Sequence, residues 1–166
     1  MRKSLSLVLF LLALASGAIG SAATDGLRTF VRGSWQEIRK AHAGKSTVVH
    51  FWGVTCGPCR IEMPAWGTFL LKRPDLDLVV INADLVPNEP SAVTAMLAQT
   101  GLAAAENWTF SDGFVERLRY EIDPQWQGEI PRTMLIARDG TTTVIDGVAD
   151  LEKVSAWLNE QGLITK

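Results

Sequence analysis

Along the chain, hydrophobic residues change spacing several times, and the changes mark out the secondary structure. Residues 47–52, Thr-Val-Val-His-Phe-Trp, form an apolar, β-branched and aromatic run, the composition of a strand buried on both faces. Residues 58–71 follow with apolar positions four apart. Ile61, Ala65 and Phe69 share one face, which predicts a helix with that stripe turned to the core. Lys72 and Arg73 sit at its end and Pro74 stops it. Residues 76–82 form a second strand-like run. Strand, helix and strand in succession predict a βαβ unit, two parallel strands joined by a right-handed crossover.

The flanking segments are shorter and need local signals. Ser34-Trp35-Gln36-Glu37 fits a capping box that starts a helix ending near Gly44. Residues 90–100 begin with Pro90 and stop at Gly101, again helical. A short strand is predicted over 107–110. Residues 112–122 carry Phe114, Leu118 and Ile122 at a spacing of four, a further helix. The loop 123–130 leads to Pro131. Residues 133–137 and 141–146 flank Arg138-Asp139-Gly140, a hairpin signal. Asp150 caps a last helix that ends at Gly162. The order is βαβ, a mostly helical middle, a β-hairpin and a final helix, with no repeat and no second domain.

Composition adds that this is an ordinary globular chain: 47% hydrophobic and 20% charged, with a net charge of -2. Nothing in that balance suits nucleic acid as a partner. The N-terminus changes the picture more. Arg2 and Lys3 precede an apolar stretch from Leu5 to Ile19, followed by Gly20, Ser21, Ala22 and Ala23. This predicts a secretory signal peptide over 1–23, cleaved between Gly20 and Ala23, and a folded domain over 24–166. The alternative is an uncleaved anchor, for which the stretch is short against a span of about 20 residues. Export points to the bacterial periplasm or the outer face of a membrane, where thiols oxidise and disulfides persist.

In that setting the two cysteines matter. Cys56 and Cys59 are the only ones, at the junction between the 47–52 strand and the helix that follows. A thiol at a helix N-terminus meets unpaired N–H groups and the positive end of the dipole, both of which favour thiolate. Cys56 is therefore expected to be the nucleophile. Cys59, one turn further in, is expected to resolve a mixed disulfide. Pro58 suits the first turn because its missing N–H costs nothing there. A structural staple would close too small a loop to restrict the unfolded chain much. Zinc wants about four ligands, and only His42 and His50 are available to add to two cysteines. Haem attachment needs His after the second cysteine, where this chain has Arg60. Redox exchange suits the pattern best, with no metal and no cofactor.

The stretch Val-Val-His-Phe-Trp-Gly-Val-Thr-Cys-Gly-Pro-Cys-Arg-Ile-Glu-Met-Pro, 48–64, resembles the active-site region of thioredoxin-fold proteins. Within them it most resembles the exported TlpA/ResA-type thiol–disulfide oxidoreductases. Cys56-Gly57-Pro58-Cys59, Pro64 and the acid Glu62 match that signature. Residues 129–140, Glu-Ile-Pro-Arg-Thr-Met-Leu-Ile-Ala-Arg-Asp-Gly, resemble the family's cis-proline and the hairpin after it. The segment between Leu85 and Gln127 resembles the family's helical insertion. The resemblance implies an α/β, thioredoxin-like fold: a mixed central sheet with helices on both faces and an insertion before the cis-Pro strand. Departures are Thr55 where a bulky residue is usual, His50 where the family has Asp or Asn, Gly53 for Ala, and Arg132 after the proline.

The same resemblance implies the roles. Pro131 would be cis and approach Cys56, and Glu62 would sit near Cys59 and adjust its proton affinity. His50 is expected beneath the site, relaying protons or simply satisfied in the core. Trp52, Thr55, Gly57, Pro58 and Ile130 are expected to line the site, Trp126 to line a substrate groove, and Arg60 and Arg132 to stabilise the thiolate or to be exposed. The implied activity is reduction of client protein disulfides by a monomer, fed by a membrane thiol-electron donor of the DsbD or CcdA type. Apocytochrome c and copper-site cysteines are candidate clients. Oxidase or isomerase activity, and a copper- or zinc-binding module of the same fold, are the alternatives.

Overall fold

A computed structural model describes residues 26–86 and 88–162. The signal segment expected over 1–23 lies outside the described residues. Among the described residues there are six strands and five helices. They are β1 (Leu27–Phe30), α1 (Ser34–Ala41), β2 (Thr47–Trp52), α2 (Gly57–Lys72), β3 (Asp77–Asn82) and α3 (Pro90–Gln99). After these come β4 (Glu106–Phe110), α4 (Val115–Ile122), β5 (Arg132–Ile136), β6 (Thr142–Asp146) and α5 (Leu151–Glu160). One sheet holds all six strands in the order β1-β4-β3-β2-β5-β6. β1, β4, β3 and β2 run parallel, while β5 and β6 pair antiparallel beyond β2. The expected mixed sheet and the βαβ unit β2-α2-β3 are both present.

β2 lies near the middle and is buried along its whole length. Its alternate side chains divide between two cores. Val49 and Phe51 join Trp35, Ile38, Leu118 and Trp126 on the α1 and α4 side. Val48 and Trp52 join Met63, Trp66, Leu97 and Leu158 on the α2, α3 and α5 side. His50 shares the second face.

Three local expectations are corrected. Ser34 is not a helix cap: it lies inside α1, Gly33 takes the cap position, and the Ser34 hydroxyl accepts from the Val31 amide instead. In α2 the stripe Ile61, Ala65 is turned to solvent, with Ile61 81% exposed. The buried stripe is Cys59, Glu62, Met63 and Trp66. The helix turns this way because Glu62 finds polar partners inside, so the acid no longer marks the wet face. In α4, Phe114 is exposed at the cap position and Val115 packs inward with Leu118 and Ile122. β1 was not foreseen. It is four residues long, and only Phe30 in it is buried. Asp150 does cap α5, accepting from the amides of Glu152 and Lys153.

Candidate active site

The carboxyl ends of the parallel strands form one edge of the sheet, and β2 delivers the chain there at Trp52. Ala83 N–H donates to the Trp52 carbonyl at 2.8 Å, extending the β2–β3 ladder one residue past β3. This brings Asp84 against the 53–55 turn. The Asp84 carboxylate is buried and accepts from four donors: Val54 N–H at 2.6 Å, Thr55 Oγ1 at 2.8 Å, Asn82 Nδ2 at 3.1 Å and Asn88 Nδ2 at 2.6 Å. Gly53 is required by this clasp. A Cβ there would lie 2.4 Å from Asp84 Oδ1 and 2.7 Å from Ile130 Cδ1.

The clasped turn ends at Cys56, which is the N-cap of α2. Its sulfur accepts from the Cys59 amide at 3.2 Å, so the helix-end donor meets sulfur directly. Cys56 and Cys59 are joined as a disulfide. The two ends differ in access: Cys59 is fully buried and Cys56 half-buried. Gly57 and Pro58 are exposed in the first turn, and Thr55 is exposed just before it. The Ile130–Pro131 peptide is cis. The Ile130 carbonyl oxygen lies 3.6 Å from the Cys56 sulfur, close enough to accept from the thiol once the bond is reduced.

Behind the disulfide lies a buried polar group. His50 stands opposite Thr133 in the β2–β5 register, and Nδ1 lies 3.0 Å from the Thr133 hydroxyl. The ring is tilted against Trp66 at 4.9 Å between centroids. Its Nε2 lies 3.0 Å from Glu62 Oε1, an ion-pair distance, although the two atoms are not aligned as a hydrogen bond. The other Glu62 oxygen accepts from the Ala149 amide at 3.0 Å. Glu62 is 6% exposed, so it is not a solvated helix residue. Trp52 is fully buried and belongs to the same core as Cys59.

Several expected positions lie elsewhere. Trp126 is a core residue against Phe51, with its indole N–H donating to the Glu129 carbonyl. Arg132 is buried among Asp123, Glu129 and Asp146, so it is neither exposed nor free to stabilise the thiolate. Arg60 is exposed. His42 bridges Asp77 and Glu106 at the opposite end of β3 from Asp84. Both histidines are thus engaged away from the cysteines' open side. Asp84, Thr133 and Arg119 were not foreseen as site residues. For Asp84 a signal existed: an acid just past the carboxyl end of a strand parallel to the CxxC strand, the edge where α/β sheets place ligands.

A groove of about 540 Å³ opens beside Cys56. Pro58 and Ile130 border it near the sulfur, Leu85 and Val86 form an exposed apolar rim, and Asp84 and Arg119 lie deeper. The arrangement can present one sulfur of a disulfide to an incoming thiolate while keeping the other sealed.

No known family profile matches the chain. The thiol–disulfide oxidoreductase ResA of Geobacillus kaustophilus (strain HTA426) is 26% identical over 145 residues, covering 85% of this chain and 76% of that protein. Among solved structures, a secreted Mycobacterium tuberculosis disulfide oxidoreductase homologous to Escherichia coli DsbE superposes with a TM-score of 0.58. It is 20% identical and covers 73% of this chain and 85% of that one. StoA from Bacillus subtilis gives 0.53 at 22% identity, covering 69% and 83%. These structures share the thioredoxin-like sheet. With the sulfur pair closed on that sheet at the start of α2, the chain is a thiol–disulfide oxidoreductase of the thioredoxin fold.

Proposed function

We propose that the protein is an exported reductase of client protein disulfides. The observation that carries the reading is the asymmetry of the pair: Cys56 reachable at a helix N-terminus, Cys59 sealed behind it. In the reduced protein the Cys56 thiolate attacks a client disulfide. A Cys56–client bond forms and one client thiolate leaves. The Cys59 thiolate then attacks the Cys56 sulfur, restoring the internal disulfide and releasing the second client thiolate. Two electrons pass to the client, and the two cysteine protons end on its thiols. The proton of Cys59 goes through the buried Glu62–His50 pair, Glu62 lying one turn past Cys59 among the buried residues of α2. Pro131 presents the Ile130 carbonyl beside the reacting sulfur.

Direction rests on the Gly57-Pro58 dipeptide, which resembles that of reducing thioredoxins, whose potential is about -270 mV. A reductase in an oxidising compartment needs electrons, so a membrane donor of the DsbD or CcdA type is part of the proposal. So are cleavage of residues 1–23, action as a monomer in the periplasm, and clients such as apocytochrome c or copper-site cysteines. Equilibration with thiol redox buffers tests the direction. A potential near about -120 mV, that of a strong oxidant, overturns the reductase reading in favour of an oxidase. Cys59→Ser should trap mixed disulfides whose partners identify the client.

A further inference from the structure

Arg119 is a buried cation with an unfilled claim on an anion. It projects from α4 into the groove beside Cys56 and is 6% exposed. One Nη2 bond, at 3.3 Å, reaches the Ala83 carbonyl, and the guanidinium lies 5.5 Å from the centre of the Trp126 ring. Its Nε is buried with no acceptor among the described residues. Among the described residues no carboxylate lies within ion-pair distance of it. Arg132 also lies 5.5 Å from that ring and is met by three carboxylates. Burial pushes the Arg119 pKa down, and the more distant charges of Glu116 and Glu129 only partly oppose this.

The surroundings make room for this cation. A Cβ at Gly128 would lie 2.1 Å from Arg119 Nη1, so the chain is glycine where the guanidinium passes. Asp84, the acid in the groove, is occupied: its oxygens already accept from Val54, Thr55, Asn82 and Asn88. A cation held out of water without a counter-charge is costly unless something supplies the charge. A planar guanidinium is suited to a carboxylate, which it can grip with two parallel bonds.

We propose that Arg119 binds a carboxylate side chain of the client polypeptide, making the groove selective for disulfides with an acidic residue close to the attacked cysteine. The proposal rests on the reading that clients dock at Cys56. Leu85 and Val86, both exposed, give the rim an apolar pair for a client side chain to cover. The whole chain is net negative at -2, so general electrostatics would disfavour an acidic client. A preference for acid must then be local.

The test uses the reduced full-length protein and short peptide disulfides. One Glu is walked through the three positions on either side of the target cysteine, each peptide matched by its Gln counterpart. The rate constant of reduction is followed by tryptophan fluorescence. At one or more positions the Glu peptide should react about tenfold faster than its Gln partner, as expected for one charge-assisted contact. That ratio should fall as salt is raised and collapse towards one in Arg119→Met. If Arg119→Met does not fold, Arg119→Lys should lower the ratio, because it keeps the charge but loses the fork. Glu and Gln peptides reduced equally at every position would overturn the Arg119 proposal and leave the exchange activity standing. A ratio that survives in Arg119→Met would overturn it too. Failure to reduce any peptide would instead strike the proposed function on which it rests.

Discussion

Asp84→Ala should loosen the turn that carries Cys56, and the cost can be worked from its partners. The substitution removes a carboxylate that accepts from Val54 N–H, Thr55 Oγ1, Asn82 Nδ2 and Asn88 Nδ2. A hydrogen bond to a charged group is worth about 1.5–3 kcal/mol net. Four would overshoot, because the mutant is spared the burial of the carboxylate itself and Thr55 is exposed to water. Asn82 is buried and Val54 half-buried, so these two donors are the ones left short. The expected loss is about 2–4 kcal/mol, which lowers a urea midpoint by about 1–2 M. A double-mutant cycle with Gly53→Ala sharpens the test. In the wild type the added methyl would strike Asp84 Oδ1 at 2.4 Å. With Asp84 truncated its two close contacts are gone and the mobile end of Ile130 is left, so the double mutant should lose less than the sum of the singles. Alkylation of Cys56 in the reduced protein gives the functional readout, since a released turn no longer holds the sulfur over the α2 amides. An unchanged urea midpoint, with strictly additive singles, would refute the clasp.

Three further outcomes are expected. Gly67→Ala should destabilise by about 3 kcal/mol or more in urea unfolding, because its Cβ would sit 1.7 Å from the backbone carbonyl of Thr100, which cannot step aside like a side chain. Arg132→Met should cost about 2–4 kcal/mol by the same assay, leaving Asp123, Glu129 and Asp146 facing one another. The half-exposed state of the last two keeps the value from running higher. Glu62→Gln should slow resolution of a mixed disulfide by about tenfold, since an amide cannot take up the proton of Cys59 one turn away on the same buried stripe of α2. Equal resolution rates would leave Glu62 a purely structural partner of His50 and the Ala149 amide.

What the sequence determined by itself is the part of the protein written in local terms. The 47–52 strand, the CxxC at the start of a helix, the Asp150 cap and the hairpin around Asp139-Gly140 each depend on neighbours a few residues away, and each appears in the fold. The motif's placement was legible for the same reason: the Cys56 sulfur at a helix N-terminus meets an amide of its own first turn. Helix orientation was not local. In α2 the stripe of Ile61 and Ala65 is as apolar as the one that packs, and the choice fell to Cys59, Glu62, Met63 and Trp66 because His50 and the Ala149 amide wait on that side. Those partners come from β2 and from the approach to α5, far apart in sequence. Arg132 and Arg119 look alike on paper, yet only the tertiary structure gave one three carboxylates and the other none among the described residues. A charge's partners are set by which distant segments the sheet order brings together, and spacing along the chain carries no record of that.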